Sequence, residues 1–578
     1  MFERPRKLLL AGLVALVGLF LARPGIIYGA DSAAEGASQP LSLEQVGLHR
    51  LRNAEPSLTG SGTRIAAVCR SLTYLEAEPQ NDYRPYVNHN CFQTNRLAFY
   101  DDGHALAALS AHSTAVCSIL FGRDNEGFNS DFGRFRYEGT APDADAQVYE
   151  FWYFLINNVF PGLAPEADII TASIGDQFES WWTRGIESMV EQFGVTVVAS
   201  IGNGLAARDP VLYPGAGANV IGVGVVNTVN SESVAKRLAN LALAYSQHSS
   251  FGPGDDGRCK PDIVAPGNCL AAADTEPNVY QPTGNWSSFA TPVVAGCASL
   301  LVQKAREDAN LAAAVSPYGG NCVIKAVLMN SATKLPYWHK GRVELADDHE
   351  SPLDYIQGAG MLNAEAAYKQ LVAGMAANLD VAATGWDLND IDGREKTSRS
   401  YRFNIAAPAG KVITVTAAWN KHYDSFYPFE ARPEKDCDLR LELWALDANN
   451  PENDYLLDYS DSSVDNVEHI YHAADPNRPG YEIVVLCNNA DEAQARYGLA
   501  WSVREASDNS DNLLWYDLNA DGVVDNVDVT VFLDNWLGAM EESERYLMCD
   551  INADGQIDAA DLMLLMKNID RQADWRKQ

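Results

Sequence analysis

Basic residues are scarce in this chain. Its 578 residues contain 43 Lys and Arg against 77 Asp and Glu, which gives a formal net charge of −34. A surface this acidic repels phosphate groups and anionic lipid headgroups. The composition therefore excludes nucleic acid as the main partner, while a hydrophobic share of 47% is enough to build large buried cores.

Cysteine is also sparse, and the apolar runs are short. Ten cysteines are too few for a small disulfide scaffold but suit a secreted protein with a few bridges. A basic N-terminus precedes the apolar run Leu8–Leu21, which is shorter than the ~20 residues that a membrane span needs. We expect residues 1–30 to be a signal peptide, with no membrane span after its removal. Because Tyr28 suits cleavage after Ala30 poorly, a membrane-anchored form is the alternative.

The pattern of apolar and polar residues changes along the chain, which predicts a multidomain protein. Between residues 62 and 375, short β-branched runs alternate with amphipathic stretches, which is typical of an α/β domain with a parallel sheet covered by helices. Residues 376–504 alternate apolar and polar side chains with period two, which predicts an all-β sandwich. The remaining segments are an N-terminal extension at 31–61, a polar linker at 505–512 and a small α module at 513–570.

The C-terminal module contains one acidic motif twice. The pattern Asp-x-Asn-x-Asp-Gly begins at Asp517 and again at Asp550, and each copy leads into an apolar segment. Oxygen-bearing side chains recur at the alternating positions that Ca²⁺ requires from a tightly turned loop. The expected ligands are Asp517, Asn519, Asp521, Val523, Asp525 and Asp528 in the first copy, and Asp550, Asn552, Asp554, Gln556, Asp558 and Asp561 in the second. Val523 and Gln556 stand at the loop position that supplies a backbone carbonyl.

Aspartate in place of glutamate at the last ligand position separates these loops from an ordinary EF-hand pair. The segment from 513 to 570 resembles a type I dockerin. The resemblance implies two calcium ions and docking to a cohesin-type module. Without metal, the clustered carboxylates repel one another, so we expect the folding of this module to depend on calcium.

Two predicted helix starts carry side chains that are used in nucleophilic catalysis. His112 begins one apolar stretch and Ser288 another, although either residue alone is more often a cap or a core residue. They occur in a fixed order with Ser173-Ile-Gly175, Ala199-Ser-Ile-Gly-Asn203-Gly and Lys260-Pro-Asp-Ile-Val-Ala-Pro-Gly267. Together these segments resemble the subtilisin-like serine proteases over residues 62–371, which implies that family's parallel-sheet α/β fold.

The resemblance implies that Ser288 is the nucleophile, His112 its general base and Asn203 a hydrogen-bond donor to the oxyanion. These residue types suit the chemistry, because a hydroxyl needs a base to remove its proton and the developing charge needs a donor. The expected cleft residues, whose backbone would pair with an extended peptide, are Ser173, Ile174, Gly175, Ala199 and Gly202.

The third catalytic position departs from the family pattern. Cys69 stands at the end of the first strand, where the family has the aspartate that orients the histidine. Three alternatives are open: a Cys69 thiolate replaces part of the carboxylate's role, Asp101 or Asp102 reaches the histidine, or Cys69 is held in a disulfide with Cys117 or Cys91. Ser113 and Trp286 also replace glycines of the pattern, and Trp286 is expected to crowd the cleft.

The β-rich segment resembles the jelly-roll domain that follows the catalytic domain in some subtilisin-like proteases. Cys437 and Cys487 are candidates for a bridge between its two sheets. A purely structural role in packing against the protease domain is the first interpretation. Binding of substrate or polysaccharide is the second.

The sequence therefore predicts a secreted or surface-attached serine endopeptidase. It acts on protein or peptide substrates, is weakened by Cys69, and has a calcium-dependent docking tail that binds a cohesin-type module. The alternative is a pseudoprotease that binds peptides without cleaving them, or an extracellular scaffold that acts through its β-sandwich and its tail.

Overall fold

The structure is a computed structural model of the chain. It describes residues 38–70, 83–92, 97–103, 109–204, 211–226, 249–335, 338–341, 349–392, 398–488, 494–505, 516–518, 523–538, 549, 551 and 556–571.

The described strands are β1 Ser38–Gln39, β2 Arg64–Cys69, β3 Leu97–Tyr100, β4 Arg123–Asn129, β5 Gly133–Glu138, β6 Asp145–Glu150, β7 Ile169–Ala172, β8 Thr196–Ser200, β9 Ile221–Val226, β10 Ile263–Pro266, β11 Leu270–Ala272, β12 Tyr280–Pro282, β13 Gly385–Asp392, β14 Ser398–Asn404, β15 Lys411–Trp419, β16 Leu439–Leu446, β17 Tyr455–Ser460, β18 Val467–Ala473, β19 Gly480–Cys487 and β20 Gln494–Glu505. The described α-helices are α1 Ser42–Gln45, α2 Leu48–Ala54, α3 Ala111–Phe121, α4 Phe151–Phe154, α5 Trp181–Phe193, α6 Ser287–Glu307, α7 Gly320–Asn330, α8 Ala364–Ala373, α9 Asn526–Asp534 and α10 Ala559–Lys567.

A seven-stranded parallel sheet forms the centre of the first domain. Its strand order is β10-β9-β8-β7-β2-β6-β3, and every described pairing in it is parallel. The inner strands β7, β8 and β9 are buried along their whole length, as expected for strands covered by helices on both faces. The predicted α/β parallel-sheet domain is confirmed.

Helices cover this sheet on both sides. Helices α3 and α6 pack on one face in a large apolar cluster, and α4 and α5 pack on the other. Strand β2 ends beside α3, which carries His112 near its first turn. The ends of the strands therefore bring separate sequence motifs to one edge of the sheet.

The segment before β2 packs into the same domain. Strand β1 pairs in parallel with β5, while Leu43, Leu48 and Leu51 of the α1–α2 region are buried in the main core. The buried Arg52 side chain donates to the Thr140 carbonyl and to the Leu58 carbonyl. The described part of the N-terminal extension is thus a structural element of the first domain.

The next segment forms two four-stranded antiparallel sheets. Their strand orders are β13-β20-β15-β18 and β14-β19-β16-β17. Cys437 Sγ lies 2.6 Å from Cys487 Sγ, so the structure brings together the two cysteines singled out from the sequence. Because Cys437 precedes β16 and Cys487 ends β19, a bridge here would join neighbouring strands of one sheet. The expectation of a bridge between the two sheets is wrong.

The β-rich segment packs closely against helix α7. Trp386 and Ala500 belong to the same apolar core as the parallel-sheet domain. Asn330 at the end of α7 donates to Ser502 Oγ at 3.1 Å and accepts from Thr416 Oγ1 at 3.1 Å. Because these polar groups are buried and mutually satisfied, they fix the contact between the two segments.

The described part of the C-terminal module consists of α9, α10 and short flanking pieces. Val524 and Phe532 from the first copy and Ile557 and Leu565 from the second share one small apolar cluster. Among the residues that the structure describes, no single helix is both long and apolar enough to span a membrane; one sharply bent pair, Ala309–Val315 with Gly320–Asn330, meets those criteria jointly.

Candidate active site

Helix α6 begins at the predicted nucleophile. Ser288 is its second residue, and Pro292 lies four positions further on. Proline has no N–H, so the Ser288 carbonyl lacks its usual helical donor. That carbonyl instead accepts from Ser173 Oγ at 2.6 Å. Because Pro292 leaves the Ser288 carbonyl without a helical donor, that carbonyl is free to bond Ser173, which belongs to the segment predicted to line the cleft.

The Ser288 hydroxyl donates to the Ser173 carbonyl across a long 3.4 Å contact. This bond is weak by its length. Ser288 nevertheless lines a cavity of about 530 Å³ together with His112, Asn203, Trp286 and Phe289. The predicted nucleophile, base and oxyanion donor therefore line one cavity. Ser288 and His112, both of which the structure describes, are not hydrogen-bonded to each other.

Asn203 is held by one end of its amide. Its Oδ1 accepts from the Ser287 N–H at 3.0 Å and from Ser287 Oγ at 2.8 Å. A backbone N–H is always a donor, so the amide oxygen must face Ser287, and the NH₂ group is left for the cavity. This is the arrangement that an oxyanion donor needs. Ser287 was not predicted as a site residue, although its position directly before the nucleophile was the available signal.

His112 occupies the first turn of α3. The Ser110 side chain caps this helix by accepting from the Ser113 N–H at 3.0 Å. The His112 ring lies 5.7 Å from the Phe289 ring, centroid to centroid, and burial lowers the pKa of His112 to about 4. Among the described residues no carboxylate acts on this pKa. The imidazole is therefore neutral at pH 7 but a weak base.

Cys69 lies against helix α3 at the end of β2. Its thiol contacts Cys117 and Ser113, and hydrogen bonding with Cys117 lowers the pKa of Cys69. The same contact, together with burial, raises the pKa of Cys117 well above its usual value. Within the described part of the chain, the Ser113 hydroxyl has no nitrogen or oxygen partner, and its contact with the Cys69 sulfur also lowers the pKa of Cys69. Among the described residues, no histidine contributes to the pKa of Cys69, so the geometry does not support a thiolate–imidazolium pair.

The second alternative for the third catalytic residue also finds no support. Asp101 accepts hydrogen bonds from Tyr83 and Arg84, and its other oxygen accepts from the Gly103 N–H at 2.9 Å. Neither Asp101 nor Asp102 contributes to the pKa of His112. Of the two cysteines considered as partners for Cys69, Cys117 is the one that touches it.

The expected cleft residues separate into two groups. Ile174 and Gly175 follow Ser173 and line a second cavity of about 150 Å³, with Trp152, Trp181 and Arg70 among its other walls. Gly202 has φ +111°, and a Cβ there would lie 2.4 Å from Ser250 Oγ, so this position requires glycine beside Asn203.

Ala199 does not belong to the cleft. It is fully buried in β8 and pairs with Ala172 on one side and with Gly222 on the other. A residue paired on both sides inside a sheet offers no edge to a substrate. The expectation that Ala199 contacts substrate is therefore corrected.

Trp286 stands directly before helix α6 and forms part of the wall of the nucleophile's cavity. A Cβ at Gly284, which has φ +84°, would lie 3.0 Å from the Trp286 indole nitrogen. The indole is thus folded back over the preceding turn. The structure places this side chain where sequence analysis expected it to narrow the cleft.

The predicted calcium loops are described only in part. Asn519, Asp521, Asp550, Asn552 and Asp554 lie outside the described residues. Among those that are described, Asp528 and Asp561 are fully buried, and each accepts from the N–H of the helix-capping aspartate three residues before it, Asp525 or Asp558. No group of three acidic, histidine or cysteine side chains forms a metal site within the described ranges.

The donor set still fits a hard cation. Asp517 is buried beside the first loop. The two loops have the same capping geometry, formed by Asp525 and Asp528 in the first and by Asp558 and Asp561 in the second. Val523 and Gln556 occupy equivalent places just before the two helices. Two buried carboxylates in equivalent positions are costly to keep without a cation nearby.

Comparison with known proteins gives two family matches. Residues 80–360 match the subtilase family, and residues 515–570 match the dockerin type I domain. The first match begins after β2 and so excludes the strand that ends at Cys69.

Individual curated relatives agree with the subtilase match. Subtilisin E of Bacillus subtilis is 23% identical over 321 residues, covering 53% of this chain and 70% of that protein. Pyrolysin of Pyrococcus furiosus is 25% identical over 329 residues, covering 48% of this chain but only 22% of pyrolysin, so this chain spans less than a quarter of that relative. Among solved structures, a PatG macrocyclase in complex with peptide has 15% identity and a TM-score of 0.40, covering 58% of this chain and 98% of that one.

Proposed function

We propose that this chain, whose residues 80–360 match the subtilase family and whose residues 515–570 match the dockerin type I domain, is a slow serine endopeptidase with a docking tail. The observation that carries the proposal is the Asn203 amide, whose oxygen is held by Ser287 so that its NH₂ group faces the cavity shared by Ser288 and His112. Such a fixed donor has a catalytic use only if negative charge develops in that cavity.

The reaction follows from these positions. The Ser288 hydroxyl rotates from the Ser173 carbonyl into the cavity, loses its proton to His112 and attacks the peptide carbonyl. Asn203 stabilises the oxyanion, the amine leaves with the proton from His112, and water releases the acyl group by the reverse steps. The low pKa of His112 keeps the imidazole free to accept a proton at pH 7 but makes it a weak base. Chemistry is therefore expected to be slow.

The setting of the reaction is also part of the proposal. The signal peptide expected at residues 1–30 implies secretion and an extracellular role. The two calcium loops hold the tail in shape, and the tail binds a cohesin-type module. The enzyme is thereby attached to an assembly or surface on which protein substrates are cleaved.

A pair of Asn203 variants tests the oxyanion role. Asn203→Asp keeps the oxygen that Ser287 bonds but removes the NH₂ donor, and Asn203→Ala removes both. We expect each variant to lower kcat by about 10²–10³, with little change in KM. The measurement is steady-state hydrolysis of an unfolded protein, with Ser288→Ala as the inactive reference. If Asn203→Asp keeps the activity of the parent, the oxyanion assignment is wrong.

A second function is favoured by a separate observation. The Ser288 hydroxyl points at the Ser173 carbonyl, and His112 has no orienting carboxylate among the described residues. Both features suit a cleft that binds extended peptides without cleaving them. In that case, unfolded protein binds the parent and Ser288→Ala equally, and neither releases peptides over long incubation.

A further inference from the structure

Three aromatic rings meet on the surface where the parallel-sheet domain touches the β-rich segment. Phe160 lies 5.9 Å from Trp181 and 5.2 Å from Tyr427, and Trp181 lies 5.7 Å from Tyr427, all measured between ring centroids. We call these three rings the aromatic triad. Phe160 and Tyr427 are 52% and 53% exposed. Exposed apolar side chains that are clustered rather than scattered are a common feature of binding surfaces.

The loop that carries Tyr427 is held firmly in place. Phe429, two residues later, is fully buried in the apolar cluster of α4 and α5, although the loop belongs to the β-rich segment. A Cβ at Gly185 would lie 3.0 Å from the Phe429 ring, and one at Gly162 would lie 2.6 Å from the Ser425 carbonyl. Arg184 Nε also donates to the Phe429 carbonyl at 3.1 Å. The exposed ring is therefore presented by an anchored loop, so little entropy is lost when a ligand binds it.

The triad is continuous with the cleft. Trp181 also lines the small cavity whose other walls include Ile174 and Gly175. These two residues follow Ser173, which bonds the backbone of Ser288. A strand advances about 3.3 Å per residue, so a peptide paired with this segment reaches the cavity within a few residues of the nucleophile. Because Trp181 belongs both to the triad and to the wall of this cavity, the triad adjoins the cavity.

The ring geometry indicates which ligand fits. The planes of the three rings make angles of 88°, 49° and 64° with one another, so they do not form a flat platform. A sugar ring stacks on a flat aromatic face, whereas aromatic side chains also pack edge-to-face against inclined rings. Exposed side chains close to the triad in sequence are also apolar, among them Ile156, Leu163 and Phe426.

We infer that the aromatic triad binds an apolar, aromatic-rich segment of the same extended polypeptide whose backbone occupies the cleft. The inference rests on the proposed function and adds a substrate class to it: unfolded proteins that are long enough to reach from Ser288 to Tyr427. It also gives the β-rich segment a direct part in substrate binding through Tyr427.

Binding by an inactive form tests the inference apart from catalysis. In full-length Ser288→Ala in calcium, we compare a fluorescein-labelled, reduced and alkylated protein with a labelled peptide that is only long enough to fill the cleft. Adding Phe160→Ala and Tyr427→Ala is expected to raise the Kd for the long chain about tenfold and to leave the Kd for the short peptide unchanged. Tyr318→Ala, which removes a ring that is 70% exposed elsewhere, is the matched control and should change neither. An unchanged thermal midpoint shows that each variant folds.

Each other outcome overturns the inference in a recognisable way. If the double variant binds the long chain as tightly as before, the triad is not the docking surface, and the proposed function stands. If the control loses as much affinity, the binding is unspecific. If a soluble polysaccharide binds the triad and the long chain does not, or if the parent is a dimer that the double variant separates, the occupant is a different one. If neither the long chain nor the short peptide binds Ser288→Ala, the inference fails together with the proposed function.

Discussion

Cys69→Asp is expected to raise kcat by about two to four orders of magnitude. Loss of the aspartate from a subtilisin triad costs about 3 × 10⁴ in kcat, because that carboxylate orients the imidazole and stabilises its charged form. Here the end of β2 already lies against the helix that carries His112, and the buried Ser113 hydroxyl beside Cys69 has no oxygen or nitrogen partner in the described structure. A carboxylate at position 69 would accept a hydrogen bond from that hydroxyl. Steady-state hydrolysis of an unfolded protein measures the gain.

The pH profile separates a triad effect from a general change. Burial holds the pKa of His112 at about 4 in the parent. The imidazole therefore stays unprotonated down to about that pH, and the parent should keep its activity over the same range. A nearby carboxylate raises the pKa of an imidazole, so the acid limb of kcat/KM should move to higher pH in Cys69→Asp. Cys69→Asn has the same shape without the charge and is the matched control. An equal gain from asparagine, or a gain with no shift of the acid limb, contradicts this explanation.

Removal of calcium is expected to unfold the C-terminal module and to leave the rest of the chain folded. Helices α9 and α10 have nine residues each, which is too short for an isolated helix in water, and their shared apolar cluster is small. Asp528 and Asp561 are buried, and a calcium ion beside them would offset the charge of their carboxylates. Saturation at a thousand times Kd stabilises a fold by about 4 kcal/mol per site.

Calorimetry with and without a chelator measures this dependence. We expect a low-temperature transition to disappear from the calcium-free trace while the main transition stays at the same temperature. Asp528→Asn should weaken the calcium effect, whereas Asp534→Asn, at the exposed end of α9, should not. Identical traces in calcium and chelator would show that the module folds without metal.

The sequence predicts much of the fold because the strands of the first domain are short and consistently apolar. Runs such as Ile221–Val226 are buried on both faces, so their composition alone indicates a parallel sheet. The pairing of β16 with β19 was not predictable, because alternation identifies a strand but not its neighbour. This is why Cys437 and Cys487 were expected on different sheets and lie on one.

The site residues that were predicted correctly are those that belong to a recognisable sequence motif. Ser288, His112 and Asn203 each occur in a recognisable segment, and the structure brings them to one cavity. Ala199 was misplaced because a motif does not show which of its residues is paired on both sides. The contact of Cys69 with Cys117 and the meeting of Trp181 with Tyr427 both join distant parts of the chain, so local patterns did not indicate them.

Labelling of Ser288 tests the central claim most directly. A fluorophosphonate reacts with a serine only if a base activates the hydroxyl and the oxyanion is stabilised, which are the two properties ascribed to this cavity. The account predicts slow, time-dependent labelling of the parent at Ser288, much faster labelling of Cys69→Asp and none of Ser288→Ala. If neither the parent nor Cys69→Asp becomes labelled, the cavity does not activate a nucleophile, and the chain binds peptides without cleaving them.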